Sequence, residues 1–203
     1  MGGVSFNGLA PMCAIVRSLL FALLVSAFSF HVRAEALTTD WDSLRAGAVI
    51  VQDIESDDGL PGVGATFLVR ASRDQIWKVL VDHEHFREIF DGIERIEVLE
   101  EDRKGAKVAF WVDAVLKDLH YVLYREYTRR GHELRWKRLS GDLERIEGRW
   151  LIEDSPGLDE KLLVYRSFVK VGGIVPTRLV RFGAKRKAEE MGNRLRKWIE
   201  SHK

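Results

Sequence analysis

Two hydrophobic periods alternate along the chain, and the points where they switch delimit its elements. Residues 47–55 (Gly-Ala-Val-Ile-Val-Gln-Asp-Ile-Glu) and Val63 to Ala71 read as strands. Between them, Ser56-Asp57-Asp58-Gly59-Leu60-Pro61-Gly62 is rich in residues that accept positive φ or fix φ near −65°, so a hairpin is expected. Ser72-Arg73-Asp74-Gln75 has the form of a capping box. In such a box the serine hydroxyl and the glutamine side chain satisfy backbone N–H groups that a helix start leaves free. The helix it opens carries Ile76, Trp77, Val79 and Leu80 on one face. A short second helix is expected after Asp82, with Phe86, Ile89 and Phe90 inward and Asp91-Gly92 as its stop.

From Ile93 the period falls to two. Strands are predicted over 93–100, 106–116, 119–129, 132–139, 145–153 and 161–171, separated by tight turn signals that make successive strands antiparallel neighbours. The last segment, from Pro176 to about Ser201, returns to helical spacing through Val180, Ala184, Ala188, Met191, Leu195 and Trp198. The class is therefore α+β: a curved antiparallel sheet wrapped around one long C-terminal helix, with two short helices after the first strands. A curved sheet buries the apolar stripe of such a helix economically, and it leaves space between the two layers.

Alternation assigns faces to most strands. Val108, Phe110, Val112 and Ala114 share one face, and Leu134 and Trp136 another, opposite Glu133, Arg135 and Lys137. Over 119–129 both faces are mixed: Tyr121, Leu123, Arg125 and Tyr127 stand against Val122, Tyr124 and Glu126, and the pattern does not choose between them. On the final strand Leu163, Tyr165, Ser167 and Val169 oppose Val164, Arg166 and Phe168.

The first residues read as an address. Arg17 precedes an apolar run, Ser18 to Phe30, of about a dozen residues, shorter than the ~20 that span a bilayer as a helix. It ends in Val32-Arg33-Ala34, which suits cleavage after Ala34. The expected organisation is a signal peptide over 1–34 and a single domain over 35–203, with an uncleaved anchor as the alternative and Met1 or Met12 as the start. Cys13 is the single cysteine and would leave with the leader. A cysteine-free exported chain fits a bacterial periplasm.

The stretch from Phe67 to Phe90, with its Ala71-Ser72 step, Trp77, Leu80-Val81-Asp82 and closing Phe90, resembles the opening of the helix-grip superfamily. That superfamily includes START-like lipid-transfer domains, polyketide cyclase/dehydrase-like proteins and coenzyme-Q-binding proteins. Ser140-Gly141-Asp142-Leu143 followed by Glu147-Gly148-Arg149-Trp150 is similar to its middle hairpin. The likeness runs over residues 47–200. It departs at Asp91, where the family often has proline. The resemblance implies a helix-grip fold and either a hydrophobic ligand or cyclase-type chemistry.

Candidate chemistry is sparse. His83-Glu84-His85 suggests a metal pair, but side chains two apart on a helix diverge, and a solvated helix junction is the expected setting. His120 and His132 stand singly at strand ends. No phosphate loop, dinucleotide fingerprint, Gly-x-Ser-x-Gly or His-Glu-x-x-His occurs. Gly172-Gly173 is expected as a hinge for the last helix. No metal and no cofactor are expected.

Charge is distributed unevenly, although the whole chain carries only +1. Lys170 to Lys203 holds ten basic residues and three acidic, whereas 35–169 holds 20 basic and 28 acidic. A helix apolar inside and basic outside suits an anionic membrane, here through Arg178, Arg181, Lys185, Arg186 and Lys187. Nucleic acid is not an expected partner, given export and the acidic remainder. The leading expectation is an exported binding protein for a lipid or isoprenoid-like molecule. Its cavity would be lined by Trp77, Phe90, Phe110, Val112, Tyr121, Leu123, Trp136, Tyr165, Leu179 and Met191. A cyclase/dehydrase-type enzyme using Asp113, Tyr121, Arg125 or Tyr165, and a non-catalytic envelope interaction module, are the alternatives.

Overall fold

The computed structural model describes residues 40–113, 118–157, 159–172 and 177–202, except for the side chains of 177–181. The leader with Cys13 and the Ala34 cleavage point, together with Ala114, Gly173 and Pro176, lies outside the described residues. Elements follow in the order α1 (Trp41–Arg45), β1 (Ile50–Glu55), β2 (Pro61–Val69), α2 (Arg73–Val81) and α3 (Phe86–Ile89). The meander β3 (Ile93–Glu101), β4 (Gly105–Val112), β5 (Leu119–Arg129), β6 (Glu133–Gly141), β7 (Leu143–Asp154) and β8 (Lys161–Val171) comes next, and α4 (Thr177–Ser201) closes the chain.

The eight strands form one antiparallel sheet in the order β1-β2-β8-β7-β6-β5-β4-β3. Each turn signal of the meander joins neighbours, and β8 returns beside β2 with Thr66 opposite Val164. The expected α+β helix-grip architecture is therefore the observed one, with α4 against the concave face of the sheet. The capping box forms in full: Gln75 N donates to Ser72 Oγ at 3.3 Å, and Ser72 N donates to Gln75 Oε1 at 2.8 Å. It points Ile76, Trp77 and Leu80 into the core. Gly92, at φ 84°, takes the left-handed turn after α3 that a Cβ would strain.

β5 turns Tyr121, Leu123, Arg125 and Tyr127 toward the concave side, where Leu123 and Arg125 are buried. Val122, Tyr124 and Glu126 accordingly face outward. The main core cluster runs from Phe67 and α2 through Leu134, Trp136, Trp150 and Leu163 to Leu195 and Ile199 of α4, and a smaller one joins Val63 and Ala65 of β2 to Ala188 of α4. Gly192 brings helix and sheet together, because a Cβ there would stand 2.9 Å from Val49 Cγ1 and 3.2 Å from the Phe67 ring. α1 precedes the first strand, in a stretch with no helical signal in the sequence pattern. It is a five-residue helix whose cap, Asp40, accepts from Ser43 N at 3.1 Å and whose Leu44 is fully buried.

Candidate functional site

α4 packs on the sheet at Gly192, Leu195 and Ile199, and its preceding turns present Ala184, Ala188 and Met191 to the sheet. Beneath them lies a cavity of about 310 Å³. Its walls are Val63 from β2, Phe90 and Ile93 at the α3–β3 junction, Val112 from β4, Tyr121 from β5, Tyr165, Ser167 and Val169 from β8, and Ala184, Ala188 and Met191 from α4. Of the ten residues expected to line a cavity, Phe90, Val112, Tyr121, Tyr165 and Met191 do so. Trp77, Phe110, Leu123 and Trp136 stand in the packed core beside it. The side chain of Leu179 lies outside the described residues.

The core aromatics position the cavity wall. Phe110 stacks on Tyr121 with ring centroids 5.6 Å apart. Tyr165 lies between Trp136, stacked at 5.6 Å, and Trp150, tilted at 4.8 Å. Such pairs fix ring orientation and add roughly 0.5–1.5 kcal/mol each beyond burial. Trp77 fills the region under α2, edge-on to Tyr127 at 5.6 Å. Burial pushes the phenols of Tyr121 and Tyr165 above their ordinary value, although a hydrogen bond with Ser167 partly opposes this at Tyr165. Both therefore remain neutral and available as hydrogen-bond donors.

The rim is charged. Asp91 follows α3 and receives Lys187 Nζ at 3.3 Å and Arg194 Nη1 at 3.7 Å, both reaching across from α4. The Lys187 hydrogen bond, with the charges of Lys187 and Arg194, holds the Asp91 carboxyl below its usual range. Lys185 is tied to Asp53 of β1 at 3.0 Å, and Arg186 to Glu190 at 2.8 Å. The three described cations of the expected docking face are thus each ion-paired within the protein, and the side chains of Arg178 and Arg181 lie outside the described residues.

The remaining candidates sit elsewhere. His83 is buried rather than solvated at the helix junction, with a relative exposure of 5%. Arg125 explains why: its Nη1 meets His83 Nε2 at 2.5 Å, its Nη2 donates to Leu80 O at 2.7 Å, and its guanidinium lies 4.7 Å from the Phe86 ring centroid. Desolvation and the nearby Arg125 charge depress His83 to about 3, and burial lowers Arg125 to about 10. This cation satisfies a carbonyl at the end of α2 and anchors α3, away from the cavity wall. His85 keeps the solvated role, bonded to Asp82 at 2.7 Å.

His120 stacks on Trp111 at 4.6 Å, and His132 Nδ1 meets Arg73 at 2.5 Å. Asp113 is exposed, its N–H donating to Gly92 O at 2.8 Å. Among the described residues no group of three or more His, Cys, Asp or Glu side chains is placed to hold a metal ion. No helix among them is long and apolar enough to cross a membrane.

A larger depression of about 570 Å³ opens on the convex face, bordered by Tyr124, Arg135, Arg145, Glu147, Arg149 and Arg166. Arg145 there already pairs with Asp58 at 2.5 Å and Glu147 at 2.6 Å. It is a salt-bridged, solvated surface. The smaller cavity has the apolar walls and few polar tips that bind small molecules.

A curved sheet closed on a C-terminal helix over an apolar cavity defines a START-like, helix-grip protein. The chain belongs to the polyketide cyclase / dehydrase and lipid transport family, whose model matches residues 69–196. Solved structures share the fold. A STAR-related lipid transfer protein from Xanthomonas axonopodis matches at 17% identity and TM-score 0.64, over 75% of this chain and 93% of that one. A START superfamily protein from Mycobacterium smegmatis matches at 20% identity and TM-score 0.62, over 70% and 99%. The Zhui aromatase/cyclase from a Streptomyces species matches at 17% identity and TM-score 0.59, over 74% and 94%. No curated protein matches the sequence.

Proposed function

We propose that the chain is an exported carrier that holds one small hydrophobic molecule between α4 and the sheet. The observation that carries this reading is the apolar cavity of about 310 Å³, whose interior polar groups are two neutral phenols and Ser167. That volume is at the low end of the ~300–1,000 Å³ range of ligand pockets. It suits a single ring system or one short chain better than a two-chain lipid. Burial of the ligand's apolar surface, at about 25 cal/mol per Å², supplies the affinity. The expected leader over 1–34 would deliver the domain to the periplasm, and the basic outer face of α4 would hold it near anionic headgroups during loading.

A cyclase or dehydrase reading is the weaker one. Arg125 and Asp113 do not line the cavity, and the rim carboxylates Asp91 and Glu190 are engaged by cations. Tyr121 and Tyr165 are suited to orienting a ligand carbonyl by donating to it. Native mass spectrometry of the chain purified from bacterial cells, followed by solvent extraction, tests the carrier proposal. A released small-molecule adduct is expected. Protein that is consistently adduct-free and fails to take up an apolar fluorophore would overturn it.

A further inference from the structure

The cavity is amphipathic along its depth. Val63, Val112, Ala188 and Met191 make its interior apolar, and its rim carries Lys187 and Arg194. These two cations are seven residues apart, two turns of helix, and so project from the same face of α4. They converge on one carboxylate supplied by a different element. Lys187 Nζ is nearest Asp91 Oδ2 at 3.3 Å, and Arg194 Nη1 is nearest Oδ1 at 3.7 Å. The first is a hydrogen bond and the second an ion pair without one, and both are longer than the roughly 2.7–2.9 Å of a well-seated charge-assisted bond. All three side chains are about half exposed, which puts them at the mouth rather than in the interior.

Resting on the carrier reading, we infer that the ligand is a single-chain or single-ring amphiphile with a carboxylate head, that Lys187 and Arg194 form its head-group site, and that Asp91 is the protein's own stand-in for that head. The ligand's apolar body lies along Val112 and Met191, and its carboxylate displaces Asp91 between the two cations. Tyr121 and Tyr165 are left to donate to any oxygen on the buried end.

The test compares decanoate with decan-1-ol, probes matched in chain length and different in head charge, by displacement of an apolar fluorophore at low ionic strength. Decanoate should bind at least tenfold more tightly, and the advantage should shrink as salt is raised. In the double variant Lys187→Gln/Arg194→Gln the two probes should fall within about threefold of each other. Asp91→Asn should favour decanoate further by removing its competitor. Thermal unfolding of each variant checks that it is folded. Equal affinities in the natural chain, or a decanoate advantage that survives the double variant, would overturn the head-group site and leave the cavity reading standing. Failure of both probes to bind would overturn the cavity reading and this inference with it.

Discussion

The indole of Trp136 occupies the space that a side chain at Gly148 would need. β6 and β7 place the two residues directly opposite one another, and a Cβ at 148 would collide with the six-membered ring and with the Arg166 carbonyl oxygen of β8. Because position 148 is bare, the ring lies low on the sheet and stacks on Tyr165. Gly148 thereby sets the height of one wall of the cavity.

Gly148→Ala therefore forces a methyl group against the Trp136 ring and the Arg166 carbonyl oxygen. The expected loss is about 1–3 kcal/mol of stability, the usual cost of forcing extra volume into a packed core. Urea unfolding measures it. Because Tyr165 must shift with Trp136, affinity for an apolar fluorophore should change as well.

Filling the cavity should separate binding from folding. Ala188 is buried on the inner face of α4 and borders the cavity. Ala188→Phe directs a ring into that space. Fluorophore binding should fall at least tenfold while the thermal midpoint moves by only a few degrees. Retained binding with full occupancy would place the ligand elsewhere.

The capping box offers a local test. Ser72→Ala removes the acceptor for Gln75 N and one of the two donors to Gln75 Oε1, leaving the Ser72 backbone N–H as the other. A cost of about 0.5–2 kcal/mol is expected from denaturant unfolding. Ser72→Asp should recover most of it.

How far the fold could be read from sequence depended on whether a residue's neighbours along the chain decided its place. The box at Ser72-Gln75 and the turn signals of the meander are local, and both were legible. β5 was not, because Arg125 is buried on the same face as Leu123 and so breaks the contrast that marks an inner face. α1 escaped notice because five residues are too few to show a period. The division of inward residues into cavity wall and packed core was also out of reach. Trp77 and Tyr165 both point inward, but only the shape of α2 against the sheet makes the first a filler and leaves the second at an open surface. Asp91 drew notice as a departure from the family pattern, while its two partners are about a hundred residues away in the chain.

His83 should make stability depend on pH between about 3 and 6.5. Burial and the Arg125 charge hold it at about 3 in the folded chain, against an ordinary 6.5. The unfolded chain therefore binds a proton there between those values and the folded chain does not, so stability rises with pH across the interval. The contribution is complete above about pH 6.5 and is lost progressively as pH falls toward 3. At 1.36 kcal/mol per unit, the shift corresponds to about 3–5 kcal/mol for a group this buried. His83→Gln keeps an acceptor for Arg125 and removes the titration. Urea midpoints measured from pH 4 to 7 should rise steeply for the natural chain and more shallowly for the variant. Parallel curves would show that the imidazole is reached by solvent and protonates in place, and that Arg125 is not held against it.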